Sequence, residues 1–200
     1  MRLRYSLTSP FARKVRTAAG HLGLPLELEL ADTLSDTDTL LVQNPLGKLP
    51  VLLDEGQKPL FDSPVILAYL DHKAGGGRIV PVDPEAKFAS MRLEALADGI
   101  MDAALLVFYE SRFRPEERRH PDWVARQRAK IDRTLTALEA EPPASGAEPT
   151  TGTIALACAL GYVDLRLGDD WQADRPKLVA WLADFTARTP AYRDTAPPPA

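Results

Sequence analysis

Cysteine and histidine are scarce in this sequence of 200 residues, and the scarcity excludes several kinds of site. The single cysteine, Cys158, cannot form an internal disulfide, which fits a reducing compartment. His21, His72 and His120 have neither the spacing of metal ligands nor a cysteine companion, so we expect no metal site. The sequence also lacks the Gly-x-Ser-x-Gly motif of serine hydrolases and a glycine-rich phosphate loop.

Long hydrophobic runs and a surplus of positive charge are also missing. The longest nearly apolar run, residues 154–163, is about half of the roughly 20 residues that a membrane-spanning helix needs. Arg13, Lys14 and Arg16 interrupt the apolar segment that a secretion signal would require. The net charge is -4, and no basic patch extends beyond a helical turn or two. We therefore expect a cytoplasmic protein that binds neither nucleic acid nor membrane.

The first third of the chain alternates between strand and helix patterns. Residues 3–7 alternate between apolar and polar side chains, which predicts a strand with one buried face. Ser9, followed by proline, is typical of a helix start, and the helical spacing of apolar residues continues until a glycine at position 23. A second strand is predicted near residues 26–30, followed by a weak helix or an irregular connection over residues 35–42.

A hairpin and another helix complete this region. Strands are predicted at residues 51–53 and 59–61 around a turn at residues 54–56. Ser63, again followed by proline, starts a helix that extends to about residue 72. The order of elements is therefore β-α-β followed by β-β-α, with four strands.

The composition changes after residue 73, where three glycines and then two prolines predict a linker over residues 77–84. Beyond the linker, apolar residues recur at helical spacing in four segments. We expect one domain at residues 1–76, an all-helical domain at residues 85–196, and a proline-rich tail at residues 197–200 that is disordered or lies on the surface.

The segment at residues 44–53 has the features of an edge that binds an extended peptide. Pro50 has no amide proton and favours extended geometry at the preceding residue, so it suits the first position of a strand. Leu49 is then left outside the sheet and can offer its N–H and C=O to a ligand. Asp62 and Ser63 stand at a helix start, where free backbone N–H groups favour a carboxylate. These features predict a small anionic peptide as the ligand.

Four motifs occur in one order along nearly the whole chain: SPFARKV at 9–15, NPLGKLPVL at 44–52, FDS at 61–63 and ALACALGY at 155–162. In this order the chain resembles cytosolic glutathione transferases, particularly small bacterial members of the serine type. The resemblance implies a thioredoxin-like N-terminal domain with a mixed four-stranded sheet, followed by an all-helical C-terminal domain. It also implies a homodimer, glutathione as co-substrate and no metal cofactor.

The resemblance assigns the glutathione contacts residue by residue. It implies a cis peptide bond at Pro50 and pairing of Leu49 with the cysteinyl backbone of glutathione. Asp62 and Ser63 would hold the γ-glutamyl carboxylate, and Lys48 the glycine carboxylate. From the residues alone, Asp62 and Ser63 are also explained as a helix cap, and Lys48 as a solvated lysine.

Ser9 is the candidate catalytic residue, because it matches the serine that activates the glutathione thiol in serine-type members. Its hydroxyl would donate a hydrogen bond to the thiolate, which is the nucleophilic form of a thiol. A helix N-cap is the alternative role for Ser9. Thr8 is the rival hydroxyl, and Tyr5 is a lesser rival because a core position suits a tyrosine on the inward face of a strand.

By the same resemblance, Phe11, Met101, Phe108 and Tyr109 are candidates for the wall of the electrophile site. Apolar residues at helical spacing are equally explained as core. Asp98 lies on the same predicted helix and is either functional or part of a solvated face. Cys158 lies in an Ala- and Leu-rich helix, where we expect a buried, inert thiol.

The expected function is conjugation of glutathione to a small hydrophobic electrophile. Two alternatives are a non-catalytic adaptor that resembles the stringent starvation protein, and a glutathione-dependent peroxidase or lyase.

The sequence departs from the family at the start of the helix near residue 150, where Thr153 takes the acidic position of a capping box. We expect a weaker helix start there, with no effect on the ligand site.

Overall fold

The computed structural model describes residues 1–35, 38–54 and 58–198. Three strands and three helices lie within the first 73 residues. They are β1 (Arg2–Tyr5), α1 (Pro10–His21), β2 (Glu27–Leu30), α2 (Leu40–Gln43), β3 (Val51–Leu53) and α3 (Ser63–Lys73). The sheet has the order β2-β1-β3, in which β1 pairs parallel to β2 and antiparallel to β3. The sheet is therefore mixed, as predicted.

The predicted fourth strand is wrong, because the sheet of the described residues has three strands. Leu60 forms only an isolated antiparallel bridge with Leu52, through two backbone hydrogen bonds of 3.0 and 2.9 Å. Pro59 has no N–H to extend this pairing, and α3 begins three residues after Leu60. Most of the predicted turn, at residues 55 and 56, lies outside the described residues.

Strand β1 is buried on both faces, whereas its alternating pattern predicted one buried face. Leu3 and Tyr5 lie in the core, and Arg4, on the opposite face, is buried as well. The Arg4 guanidinium donates hydrogen bonds to Asp38, to Thr39 at 2.9 Å and to Gln43 at 2.8 Å. A charged side chain can be buried here because the segment around α2 accepts from both terminal nitrogens of the guanidinium, while the Nε atom lies 3.5 Å from the carboxylate of Glu29.

Helices form the rest of the molecule, as the sequence predicts. They are α4 (Pro84–Phe113), α5 (Pro121–Ala140), α6 (Thr151–Leu167), α7 (Pro176–Arg188) and a short α8 (Pro190–Asp194) that the sequence did not predict. Helix α6 is the central element, packs against α4 and α1, and is buried over most of its length. No helix of the described chain combines the length and the apolarity needed to cross a membrane.

The first turn of α6 depends on a close approach and on a neutral capping box. Gly152 lies so near α4 that a Cβ atom there would stand 2.4 Å from the Ser90 carbonyl oxygen. The Thr150 hydroxyl accepts the Thr153 N–H at 3.3 Å, and the Thr153 hydroxyl accepts the Thr150 N–H at 2.8 Å. The reciprocal cap therefore forms without the acidic residue, through two hydroxyl groups.

Lys14 links the two halves of the molecule. Its side chain extends from α1, is completely buried, and donates to Glu94 at 2.9 Å and to Asp98 at 2.8 Å, both on α4. A buried ammonium group needs a partner of opposite charge, and both partners of Lys14 are on α4. Separation of α1 from α4 would therefore leave buried charges unpaired.

Candidate functional site

The topology brings three chain segments to one edge of the sheet. Because β3 is antiparallel to β1, with Val51 opposite Arg4, the start of β3 lies beside the end of β1. The bridge between Leu60 and Leu52 then directs residues 61 and 62 toward the same edge, where α3 begins. The loop before α1, the segment before β3 and the N-terminus of α3 therefore meet there.

Ser9 is the N-cap of α1 and lines a crevice between the loop after β1 and α6. Its Oγ accepts the Ala12 N–H at 3.2 Å, so one of its lone pairs serves the helix cap. Thr8 lines the same crevice, together with Tyr162 of α6. Tyr5 is buried in the core with Arg16 over its ring at 5.2 Å. Ser9 and Thr8, the two candidate hydroxyl residues, therefore both lie on the wall of this narrow crevice.

The segment before β3 has a free backbone at Leu49. The Leu49–Pro50 peptide bond is cis, and neither the N–H nor the C=O of Leu49 is hydrogen-bonded within the described chain. The Asn44 side chain fixes the preceding turn, because it donates to the Lys48 carbonyl at 2.9 Å and accepts the Leu46 N–H at 3.0 Å. The Lys48 side chain extends from this turn into solvent.

Asp62 and Ser63 form the start of α3. Asp62 is the exposed N-cap, and its carboxylate accepts the Ser63 N–H. Ser63 is completely buried, and its Oγ has no hydrogen-bond partner in the described chain. A buried hydroxyl without a partner is uncommon and costs free energy unless a ligand or water satisfies it.

Two further carboxylates lie near this helix start. Burial raises the pKa of Asp98 to about 6, against the opposing charge of Lys14, and the charge of Asp62 adds to the rise. Burial also raises the pKa of Asp102, whereas the charge of Lys48 lowers it. Asp98, Asp102 and Asp62 are therefore close enough to repel one another, with Lys48 and Lys14 as the neighbouring cations.

The four candidates for the electrophile wall have different environments. Met101 is completely buried in the hydrophobic core, so the structure does not bring it to a ligand site. Phe11 is half-buried and packs against the core. Phe108 and Tyr109 are partly accessible near the end of α4, with ring centroids 6.2 Å apart, and Tyr109 packs edge-on against Phe113 at 4.9 Å.

Sequence reasoning missed the contribution of α6 to this crevice. Gly161, Tyr162 and Leu165 line it opposite Ser9, and Arg166 lies one turn beyond Tyr162 with its guanidinium 4.0 Å from the Phe108 ring centroid. The spacing of Tyr162 and Arg166, four residues apart on one face of a helix, is the only sequence signal that could have indicated them.

Cys158 also borders the crevice, but its thiol is completely buried. Burial raises the pKa of Cys158 to about 11, so the thiol stays protonated at neutral pH. Among the described residues, no group of three or more His, Cys, Asp or Glu side chains could hold a metal ion.

Two family models match this chain, the N-terminal domain of glutathione S-transferase over residues 8–73 and the C-terminal domain over residues 121–184. The uncharacterized GST-like protein YibF of Escherichia coli (strain K12) is 37% identical over the full length of both chains. A glutathione transferase family member from Pseudomonas fluorescens Pf-5, crystallised with glutathione, is 40% identical, with 98% of each chain covered and a TM-score of 0.91.

A glutathione S-transferase from Methylobacterium radiotolerans JCM 2831, in complex with glutathione sulfonate, is 37% identical. The comparison covers 98% of this chain and 94% of that one, with a TM-score of 0.89. The match to relatives over the full length, together with the edge built by Leu49, Asp62 and Ser63, shows that the chain belongs to the glutathione S-transferase family.

Proposed function

We propose that this protein binds glutathione and conjugates its thiolate to a small hydrophobic electrophile. The observation that carries the proposal is the convergence of unpartnered polar groups at one edge of the sheet. These groups are the backbone of Leu49 and the buried hydroxyl of Ser63, with the Ser9 hydroxyl in the adjoining crevice. Structures of relatives that hold glutathione or glutathione sulfonate support this choice of ligand.

Each part of the tripeptide has a partner in this proposal. The γ-glutamyl carboxylate accepts hydrogen bonds from the Ser63 hydroxyl and from the free N–H of Val65 in the first turn of α3, where the helix dipole favours a negative charge. The cysteinyl backbone pairs with Leu49 as an added extended segment beside Pro50. Lys48 is the cation for the glycine carboxylate, and Asp62 completes the helix start.

Ser9 stabilises the thiolate in this proposal. Lowering the thiol pKa from about 8.5 to about 6.5 requires roughly 2.7 kcal/mol in favour of the charged form. A hydroxyl that donates to a charged acceptor contributes about 1.5–3 kcal/mol, and the N-terminus of α1 adds about 0.3–2 kcal/mol. Because Ser9 uses only a lone pair for the helix cap, its proton stays available for the sulfur.

The partly accessible rings of Phe108 and Tyr109, with Phe11 on α1, form the apolar wall for the electrophile in this proposal. Met101 is not part of that wall, because it is buried in the core. Residues 1–76 serve as the glutathione-binding domain, residues 77–84 as the linker and residues 85–196 as the helical domain. A reducing cytoplasm would supply the reduced thiol that the reaction needs.

We also propose a homodimer, in line with the family. Phe88 and Met91 lie three residues apart on α4, with 68% and 49% of their surface exposed, and Val65 on α3 is 49% exposed. We place the subunit interface at these exposed apolar side chains of α3 and α4. Size-exclusion chromatography with light scattering tests this part of the proposal, since a monomer at micromolar concentration would contradict it.

The experiment that tests the proposed function compares Ser9→Ala with Thr8→Ala. Glutathione binding is measured by calorimetry, and conjugation of chlorodinitrobenzene by steady-state kinetics. We expect Ser9→Ala to keep glutathione binding and to lower kcat by about 10- to 100-fold, as expected for loss of a hydrogen bond to a charged group. Thr8→Ala should retain kcat within about twofold.

Three outcomes would count against the proposal. A large loss of rate in Thr8→Ala with normal rates in Ser9→Ala would transfer the catalytic role to Thr8. Turnover of peroxides without any conjugation would favour the peroxidase alternative. Absence of glutathione binding at millimolar concentration would favour a non-catalytic adaptor.

A further inference from the structure

Two arginines on different helices meet at the same aromatic ring beside the Ser9 crevice. The guanidinium carbon of Arg166, on α6, lies 4.0 Å from the centroid of Phe108, and that of Arg112, on α4, lies 5.7 Å from the same centroid. Arg166 also lies 5.7 Å from the ring of Tyr162. Both cations are therefore within cation–π distance of the Phe108 ring.

No carboxylate neutralises either arginine within the described ranges of the chain. Neither Arg112 nor Arg166 forms a salt bridge with a described acidic residue, and the hydrogen bond of the Arg166 side chain goes to the neutral hydroxyl of Tyr162. The neighbouring acids are already used, since Glu110 pairs with Arg114 and Asp164 accepts the indole N–H of Trp171. The Nε atom of Arg166 is buried without a partner. A cation pair without counter-charge, with a buried unpaired donor, indicates an anionic ligand.

Arg166 connects this cation pair to the wall of the crevice at Ser9, because it lies against the ring of Tyr162. Tyr162 lines the crevice and is one helical turn from Arg166. Burial raises the pKa of the Tyr162 hydroxyl, whereas the charges of Arg166 and Arg112 oppose the rise, so both guanidiniums act at the crevice wall. An electrophile whose reactive carbon faces Ser9 would therefore extend toward the two arginines.

We infer that the electrophile carries a carboxylate on a planar, aromatic body, and that Arg166 and Arg112 determine this specificity. This inference rests on the proposed function. Aromatic side chains and guanidinium planes match a flat ring, and a guanidinium fork matches a carboxylate through paired hydrogen bonds. The pair would thereby select anionic aromatic electrophiles over neutral ones of similar shape.

The reaction leaves the carboxylate unchanged. For an electrophile of this class that carries a halogen on the ring as its leaving group, the glutathione sulfur, after releasing its proton to solvent, forms a carbon–sulfur bond at the ring carbon that bears the halogen. The halide departs with the electron pair of the carbon–halogen bond, so no oxidant or reductant is needed. The arginines contact only the carboxylate and neither give nor take a proton.

The test uses a matched pair of electrophiles, 4-chloro-3,5-dinitrobenzoate and the neutral chlorodinitrobenzene. The ratio of their kcat/KM values is compared between wild type and Arg166→Gln, so that differences in intrinsic reactivity cancel. We expect the ratio to fall by about 10- to 100-fold in Arg166→Gln, with a similar loss in Arg112→Gln. Arg166→Lys, which keeps the charge, should retain part of the preference, and Arg133→Gln, an exposed arginine on α5, should leave the ratio unchanged.

A binding measurement separates this inference from the proposed function. Calorimetry compares S-(3-carboxypropyl)glutathione with S-butylglutathione, and the wild type should bind the carboxylate form more tightly, with the preference lost in Arg166→Gln. Equal affinities in the wild type, with normal turnover of chlorodinitrobenzene, would overturn the inference and leave the proposed function standing. If the wild type bound neither conjugate and turned over neither electrophile, the proposed function would fall, and this inference with it.

Discussion

Two regions of the molecule differ in whether their polar groups have hydrogen-bond partners within the described chain. At the contact between α1 and α4, the buried ammonium of Lys14 has three carboxylate oxygens within 3.1 Å, from Glu94 and Asp98. At the edge of the sheet, the buried hydroxyl of Ser63 and the backbone of Leu49 have no partner in the described chain. In the first region the described chain supplies the partners of the buried charge, whereas in the second it leaves these groups without one.

This difference separates residues that should affect the stability of the fold from residues that should affect ligand binding. Satisfied buried charges connect the two parts of the chain, and their loss should show in unfolding experiments. Unsatisfied groups cost the free protein stability, and their loss should show in ligand binding. Three sets of substitutions test this separation, in order of decreasing effect on stability.

Lys14→Met should have the largest effect, because it leaves two carboxylates buried without their cation. Breaking a buried ion pair on one side costs about 3–5 kcal/mol, so urea denaturation should give a free energy of unfolding lower by that amount. Lys87→Met is the control, since Lys87 on α4 is exposed and forms no salt bridge with a described residue. A change below about 1 kcal/mol in Lys14→Met would contradict the structural role of the cluster.

Asp98→Asn should change the pH dependence of stability. Because the folded pKa of Asp98 is raised to about 6 above its ordinary value of 3.8, the folded state holds this proton more tightly than the unfolded state. The contribution of Asp98 to stability is therefore greatest below pH about 4 and decreases as the pH rises to about 6, by about 2 kcal/mol. Lys14 keeps Glu94 as its partner in the variant.

The measurement for Asp98→Asn is the free energy of unfolding from pH 4 to 7, in urea, for wild type and variant. The difference between the two proteins should change across this range, with the variant gaining relative stability as the pH rises. A difference that is independent of pH would show that Asp98 is ionised throughout and would contradict the raised pKa.

Substitution of the two buried serines should give the smallest changes in the free energy of unfolding, and the two changes should have opposite signs. Ser63→Ala removes a buried hydroxyl without a partner, so the free protein should gain about 1 kcal/mol. Ser90→Ala removes a hydroxyl that accepts the Gly152 N–H at 3.1 Å and lies 3.1 Å from the Thr151 hydroxyl, so it should lose about 1 kcal/mol or more. Thermal unfolding without ligand measures both, and a loss in Ser63→Ala comparable to that in Ser90→Ala would contradict the account.

Much of the edge around Leu49 could be predicted from the sequence because the relevant signals are local. Pro50 excludes Leu49 from the sheet, and the proline after Ser63 marks the first turn of α3. The helices of the second half were predictable for the same reason, since the spacing of apolar residues is a local property. The strand predicted around Leu60 is reduced to a single bridge with Leu52. A short apolar segment does not specify how far backbone pairing continues beyond such a bridge.

Contacts between distant parts of the chain could not be predicted. The meeting of Arg112 and Arg166 at Phe108 depends on how α4 and α6 pack. The same packing decides that Met101 is buried in the core while Phe108 stays partly accessible against Arg166, although both are apolar residues on one helix. Arg4 has the pattern of a solvent-facing residue in a strand, and only the chain around α2 explains its burial.

The most direct test of the central claim is a calorimetric titration of reduced glutathione into the wild type and into Ser63→Ala. We expect binding by the wild type, and an affinity at least about tenfold lower in the variant, because a carboxylate loses one charge-assisted hydrogen bond. The same affinity in both proteins, or no binding by the wild type, would contradict the claim that a ligand completes this edge.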